Sequence, residues 1–241
     1  FAFRSPLSRG AILADEVGLG KTIEAGLIIC QLWAERKRKI LVVAPPTLRK
    51  QWEQELLDKF HIHSVVLDSR EFRARQNGGD NPLMPQDRVV ICSYHFVQSK
   101  AAQFQDVEWD LVVMDEAHRM RNVVKPSNKI ANTVRDALRW RSKLLLTATP
   151  LQNSLTELYG LVSFIDEHLF GDLDTFRERF VRGDNAALDE LRSRISRVCQ
   201  RTLRRQVNEY VKFTQRIAFT QNFTPTPDEQ QWFGVFRVGI W

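Results

Sequence analysis

Lysine and threonine stand behind two closely spaced glycines in Ala14-Asp15-Glu16-Val17-Gly18-Leu19-Gly20-Lys21-Thr22, directly after the apolar run Ala11 to Leu13. Glycines at that spacing let backbone N–H groups turn inward and cradle phosphate oxygens. Lys21 would then reach the β- and γ-phosphates, and the Thr22 hydroxyl is placed to bind Mg²⁺. A helix starting there would add its N-terminal dipole to the same anion. A second group, Asp115-Glu116-Ala117-His118, follows the apolar run Leu111 to Met114. A strand at that point delivers Asp115 to the C-terminal edge of a parallel sheet. There its carboxylate can hold the magnesium shell while Glu116 orients or deprotonates a water. The two groups in this order imply hydrolysis of ATP, with Mg²⁺ as the companion ion.

Each group has a plainer reading when taken alone. A dinucleotide fingerprint would need a third glycine three residues after Gly20, where Ile23 stands, and Lys21-Thr22 favours a nucleoside triphosphate. Asp15 occupies the place of the first glycine in the usual phosphate-loop pattern, which is a departure. Acidic residues behind a strand often do no more than start a turn. The ordered pair is harder to explain as two accidents.

Such residues need a scaffold, and the chain has the pattern for one. Short apolar runs recur at 11–14, 40–44, 64–67, 88–92, 111–114 and 143–147, of strand length and rich in β-branched residues or leucine. Helical spacing lies between them, over 21–36 through Ile23, Leu27, Ile28 and Leu32, and over 47–60 through Leu48, Trp52, Leu56 and Leu57, with Thr47 as the expected cap. Near-continuous apolar strands alternating with helices predict an α/β fold whose parallel sheet is covered on both faces. Residues 75–87, with Asn77-Gly78-Gly79-Asp80 and two prolines, read as a loop. Ala44-Pro45-Pro46-Thr47, Ser93-Tyr94 and Thr147-Ala148-Thr149-Pro150 each follow a strand, so parallel topology gathers them on the same edge as the phosphate loop. Thr147 to Thr149 could there hydrogen-bond to the carboxylates of Asp115 and Glu116 or to His118.

These motifs, taken in order, resemble helicase superfamily two, and within it the Swi/Snf-like ATPases. Similar to that group are DEVGLGKT, APPTLRKQW, DEAH with Arg119-Met120-Arg121-Asn122 behind it, and LTATPLQN. The later ELYGLVSFIDEHLFG, FRERF and Leu203-Arg204-Arg205 also look like this family, so the likeness runs from about Gly10 to Gln230. EVGLGKTIEAG is closer to the bacterial branch that includes an RNA-polymerase-associated ATPase. The resemblance implies a RecA-like first lobe of a motor that runs along double-stranded DNA on ATP. It also implies a second RecA-like lobe that carries the arginine fingers, a protein complex around the motor, and a cytoplasmic, nucleoid-associated bacterial setting. Carried over by position, Asp15 to Thr22 hold ATP, Thr22 and Asp115 the metal, and Glu116 the water. His118, Thr147, Ala148 and Thr149 couple the nucleotide to the polymer, while Pro45, Pro46, Thr47 and Tyr94 face its phosphates. A strand-separating or RNA-directed helicase of the same superfamily shares these motifs, and a nucleotide-binding regulatory module without hydrolysis is the non-enzymatic alternative.

The remaining composition sets bounds. A chain of 241 residues with 43% hydrophobic and 27% charged content can bury one sizeable core and is short for two α/β lobes. We expect the RecA-like lobe over 1–170, a small helical appendage over 171–210, and a segment leading toward the second lobe over 211–241, whose end is atypical for the family. The start at Phe1 reads as a piece of a longer protein. No apolar run is long enough to span a bilayer, so no membrane role is expected. Cys30, Cys92 and Cys199 lack any paired spacing, and His61 and His63 lack a third ligand, so neither set reads as a metal site. Net charge is +6, and residues 192–205 hold six arginines and no acid. On a helix Arg194, Arg197, Arg201 and Arg204 or Arg205 would form one stripe, either a solvated face or a surface for phosphates or the other lobe. Trp33, Trp52, Trp109 and Trp140 read as core or rim packing.

Overall fold

The computed structural model describes residues 9–79, 81–84, 87–150, 154–203 and 226. The chain divides into two compact units, Phe1–Gln206 and Val207–Trp241. Thr226 alone of the second unit is described, so the expected segment over 211–241 and its atypical end lie outside the described residues, and every described element belongs to the first unit.

All six apolar runs are strands: β1 (Gly10–Leu13), β2 (Ile40–Val43), β3 (Ser64–Val66), β4 (Val89–Cys92), β5 (Leu111–Met114) and β6 (Lys143–Leu146). With β7 (Cys199–Gln200) they form one sheet in the order β3-β4-β2-β5-β6-β1-β7, every neighbouring pair parallel. Alternate side chains go to opposite faces, as a pleated strand requires. Ile12, Leu41, Val43, Val112 and Met114 enter one core. Ala11, Leu13, Ile40, Val42, Leu111 and Val113 enter the other. Both faces are buried, which is why the strands read as unbroken apolar runs rather than as alternation.

Helices α1 (Lys21–Ala34) and α2 (Arg49–Phe60) cover the second face through Ala25, Ile29, Trp52 and Leu56. A Cβ at Gly26 would lie 2.2 Å from the Phe60 ring, so the absent side chain is what lets α1 and α2 approach. The first face is covered by α3 (Ser69–Asn77), α4 (Tyr94–Ser99), α5 (Ala101–Gln105), α6 (Lys129–Ala137) and α7 (Leu155–Val162). From residue 171 the chain forms α8 (Leu173–Phe176), a π-helical turn over Arg177–Val181, and α9 (Asn185–Ile195). Phe170, Phe176, Phe180 and Leu191 from this stretch enter the core of the lobe itself.

Five expectations are corrected. Helix α1 stops at Ala34 because Arg36 adopts a left-handed backbone, and α2 starts at Arg49 without a cap from Thr47, since Leu48 N–H closes a turn on the Pro45 carbonyl instead. Residues 75–77 are the last turn of α3, whose N-terminus is capped by Asp68 accepting from the N–H groups of Arg70 and Glu71. The arginine stripe does not form. Helix α9 ends at Ile195, and the chain turns to lie along β1, with Ile12 N–H donating to Val198, Ala14 N–H to Gln200 and Glu16 N–H to Thr202. The apolar spacing through Leu191, Ile195 and Val198 fits a helix, yet the unpaired donors of β1 outweigh it by drawing 198–202 alongside, with β7 as the edge strand. Arg192 and Arg194 pair with Asp189 and Glu190, while Arg204 and Arg205 lie outside the described residues. Trp140, finally, is 61% exposed rather than packed, with the Arg9 and Arg139 guanidinium groups 4.7 and 4.8 Å from its ring.

Candidate nucleotide-hydrolysis site

Parallel topology brings both motifs to the C-terminal edge of the sheet. The loop after β1 turns through Gly18 (φ 83°) and Gly20 (φ 93°), left-handed conformations that favour glycine. Gly20 caps α1 with no side-chain hydrogen bond, so the first N–H groups of the helix remain for an anion. Lys21 Nζ donates to the carbonyls of Asp15 (2.7 Å) and Glu16 (3.2 Å), which hold the ammonium over the loop. On neighbouring strands, Asp115 directly follows β5 and Thr147 directly follows β6. A cavity of about 350 Å³ is lined by Gly18, Gly20, Lys21, Thr22, Asp115, Glu116 and Ala148, and from α2 by Leu48, Gln51, Trp52, Glu55 and Lys59.

Asp115 is the most constrained group. Its Oδ2 accepts from Trp52 Nε1 at 2.8 Å, its Oδ1 from the Glu116 N–H at 2.8 Å, and its carbonyl from the Tyr94 hydroxyl at 2.6 Å. Burial pushes the Asp115 carboxyl above its usual range, and the Trp52 and Glu116 donors oppose that. Glu116 sits at φ 50°, ψ 44°, left-handed for a non-glycine residue. His118 Nδ1 lies 3.0 Å from Glu116 Oε2 without a hydrogen bond between them. Thr147 is buried, and its Oγ1 accepts from the Thr149 N–H at 3.1 Å. Among the described residues no hydrogen bond joins Thr147–Thr149 to Asp115, Glu116 or His118. The structure sets the triplet beside the carboxylates without bonding it to them.

The loop after β2 opens a second cavity, of about 270 Å³, lined by Pro45, Pro46, Tyr94, His95, Arg119, Met120, Asn128 and Ile130. Pro46 and Thr47 are exposed, whereas Tyr94 is 5% exposed with its hydroxyl turned onto the Asp115 carbonyl. A third cavity, at the opposite edge of the strands beside Arg9 and Trp140, holds none of the motif residues.

Two residues escaped sequence reading. Trp52 read as packing, although a buried indole N–H usually finds an acceptor, and that requirement was the available signal. Glu24, in the first turn of α1, faces Asp15. Its carboxyl is pushed up to about 7, first by burial and then by the charge of and hydrogen bond with Asp15, with Lys21 opposing. The folded chain thus keeps a proton that the unfolded chain releases near 4.5. Unfolding free energy should therefore fall as pH rises from about 4.5 to about 7 and level off above. The difference in Tm between the protein and Glu24→Gln, followed from about pH 5 to about pH 8, should widen in the variant's favour. A constant difference would show that Glu24 is not the group that titrates.

Comparison with known proteins agrees with this geometry. A family model described as the SNF2-related domain matches residues 4–235. The chain belongs to the SNF2 family. RNA polymerase-associated protein RapA of Cronobacter sakazakii is 39% identical to this SNF2 chain over 172 residues, covering 69% of the chain and 18% of the relative. RapA of Photobacterium profundum gives the same identity and coverage. The SNF2 chain therefore spans less than a fifth of the length of these relatives. Among solved structures, the Sulfolobus solfataricus SWI2/SNF2 ATPase core in complex with dsDNA superposes with a TM-score of 0.67 at 26% identity, covering 84% of this chain and 41% of that one. The Sulfolobus solfataricus SWI2/SNF2 ATPase core domain gives 0.63 at 28%, covering 84% and 40%. The SNF2 lobe is RecA-like, a parallel sheet flanked by helices.

Proposed function

We propose that this chain is the first RecA-like lobe of an ATP-dependent motor that moves along double-stranded DNA, acting with a second RecA-like lobe of the parent protein and within a protein complex. The observation that carries this reading is one residue with two neighbours. Asp115 lines the cavity of Lys21 and Thr22, and its backbone carbonyl is held by Tyr94, which lines the cavity of Pro45, Pro46 and Arg119. A nucleotide site and a groove with exposed Pro46 and Thr47 are thus one side chain apart. The described relatives, a polymerase-associated protein and a SWI2/SNF2 core with dsDNA, support duplex DNA as the polymer and a polymerase-like assembly as the complex. The bacterial source of the RapA relatives supports a bacterial, cytoplasmic, nucleoid-associated setting.

ATP and Mg²⁺ fit the donor set, because Thr22 and Asp115 bring hard oxygen ligands to one cavity with Lys21. When bound there, held by Thr22 and Asp115, the ion would supply positive charge to offset that of the phosphates. The protein supplies the rest. Backbone N–H groups of residues 18–22 cradle the phosphates, and Lys21 moves from the Asp15 and Glu16 carbonyls onto them. Glu116 takes a proton from the attacking water, and His118, 3.0 Å away, relays its state toward the polymer groove with Thr147–Thr149.

The test is ATP hydrolysis by the full-length parent with duplex DNA, single-stranded DNA or RNA. Stimulation mainly by duplex DNA is expected. Stimulation mainly by single strands or RNA would replace the translocase with a strand-separating or RNA-directed helicase, and a lack of hydrolysis with every polymer would leave a regulatory nucleotide-binding module.

A further inference from the structure

We propose that Trp52 is a positioning residue for the divalent-cation site, its indole N–H setting the plane of the Asp115 carboxylate and tying that carboxylate to the loop Pro45–Thr47. This rests on the reading of Asp115 as a ligand of the nucleotide-bound metal.

The geometry is specific. Trp52 is 2% exposed and packs in the core between α1, α2 and the sheet, so core packing holds its ring where it meets the cavity. Its one polar atom donates to Asp115 Oδ2 at 2.8 Å, across 63 residues of sequence. The Glu116 N–H holds Oδ1 from the other side, also at 2.8 Å. A carboxylate has two acceptor positions on each oxygen. One donor on each oxygen therefore fixes the plane and leaves an acceptor position on each for a cation. Metal-ligating groups are commonly oriented in this way by partners that never touch the metal. The alternative view, that Trp52 only fills space, leaves unexplained why its single N–H meets the one carboxylate that both motifs converge on.

Trp52 also has a rigid path to the polymer groove. Leu48 N–H donates to the Pro45 carbonyl and Trp52 N–H to the Leu48 carbonyl, at 3.0 and 2.9 Å. A shift of the loop Pro45–Thr47 is thus carried by the first turn of α2 to the indole. Asp115 is the shared terminus of this path and of the Tyr94 bond.

The test uses the full-length parent and the variants Trp52→Phe, which keeps an aromatic ring without the N–H, and Trp52→His, which restores a ring donor. Binding of Mn²⁺ in the presence of ADP is measured by electron paramagnetic resonance, and binding of ADP in EDTA by calorimetry. We expect Trp52→Phe to weaken Mn²⁺ binding about 10- to 100-fold, to leave ADP affinity in EDTA unchanged, and Trp52→His to recover part of the loss. Unchanged Mn²⁺ affinity in a folded Trp52→Phe protein overturns the proposal, as does an equal loss of ADP affinity with and without the ion. Should Trp52→Phe not fold, the wild-type protein decides. With ¹⁵N-labelled tryptophan, one indole N–H resonance should move on adding Mg²⁺ with ADP and stay in place with ADP alone, and no such movement overturns the proposal. None of these measurements needs hydrolysis or DNA, so failure of the motor reading and failure of the Trp52 assignment give different results.

Discussion

Glu116→Gln in the full-length protein is expected to lower ATP hydrolysis about 10²- to 10⁴-fold, the range for removing a positioned acid or base, while Mg-nucleotide binding is retained. The substitution keeps shape and hydrogen-bonding length and removes only basicity, so the loss should fall on kcat with little change in KM. Glu116 follows the buried strand β5 directly and is half-buried at the cavity wall. Its left-handed backbone costs on the order of 1–3 kcal/mol, a strain that persists when surrounding structure imposes it. Here the Asp115 carboxylate accepts the Glu116 N–H, and the turn Ala117–Met120 begins at once, so the backbone is held from both sides. Steady-state rates and nucleotide affinity measured together decide the matter. Equal losses in both would mean that Glu116 shapes the loop instead of acting on water.

The second large effect concerns the 241-residue chain by itself. Loss of an arginine finger lowers phosphoryl-transfer rates by about 10³- to 10⁵-fold, and the resemblance places those arginines in a second lobe. We therefore expect this chain alone to bind Mg-nucleotide weakly and to hydrolyse it at a rate lower than the full-length parent by about that factor. The comparison is a single-turnover assay of both proteins with duplex DNA present. Robust DNA-stimulated turnover by the 241 residues, abolished by Lys21→Ala, would show that the lobe carries a complete site of its own.

Much of the fold and site was legible in the residue order because its signals are local. A phosphate loop needs glycines with positive φ next to a lysine, and Gly18, Gly20 and Lys21 are neighbours in sequence as well as in space. Six strands were readable because burial on both faces makes each an apolar run. The arginine stripe misled because the periodicity of Leu191, Ile195 and Val198 fits a helix. The competing partner, the open edge of β1, lies about 185 residues away in sequence and contributes nothing to a local pattern. Thr47 misled for a related reason: a capping residue type does not cap when a following residue closes its own turn, as Leu48 does on Pro45.

By itself the sequence determined the scaffold and the candidates: which side chains are proposed to meet phosphate, metal and water, and that a parallel sheet delivers them to one edge. Only the tertiary structure decided how they are held. Trp52 donating to Asp115 Oδ2, Tyr94 to its carbonyl, the burial that raises the Glu24 carboxyl, and residues 198–202 closing on β1 are features that local sequence does not encode. The physical reason is the range of each interaction. Backbone preference and apolar periodicity act over a few residues and leave a trace in local composition. A buried donor is satisfied by whichever acceptor the packed core brings within about 3 Å, and that depends on the whole chain.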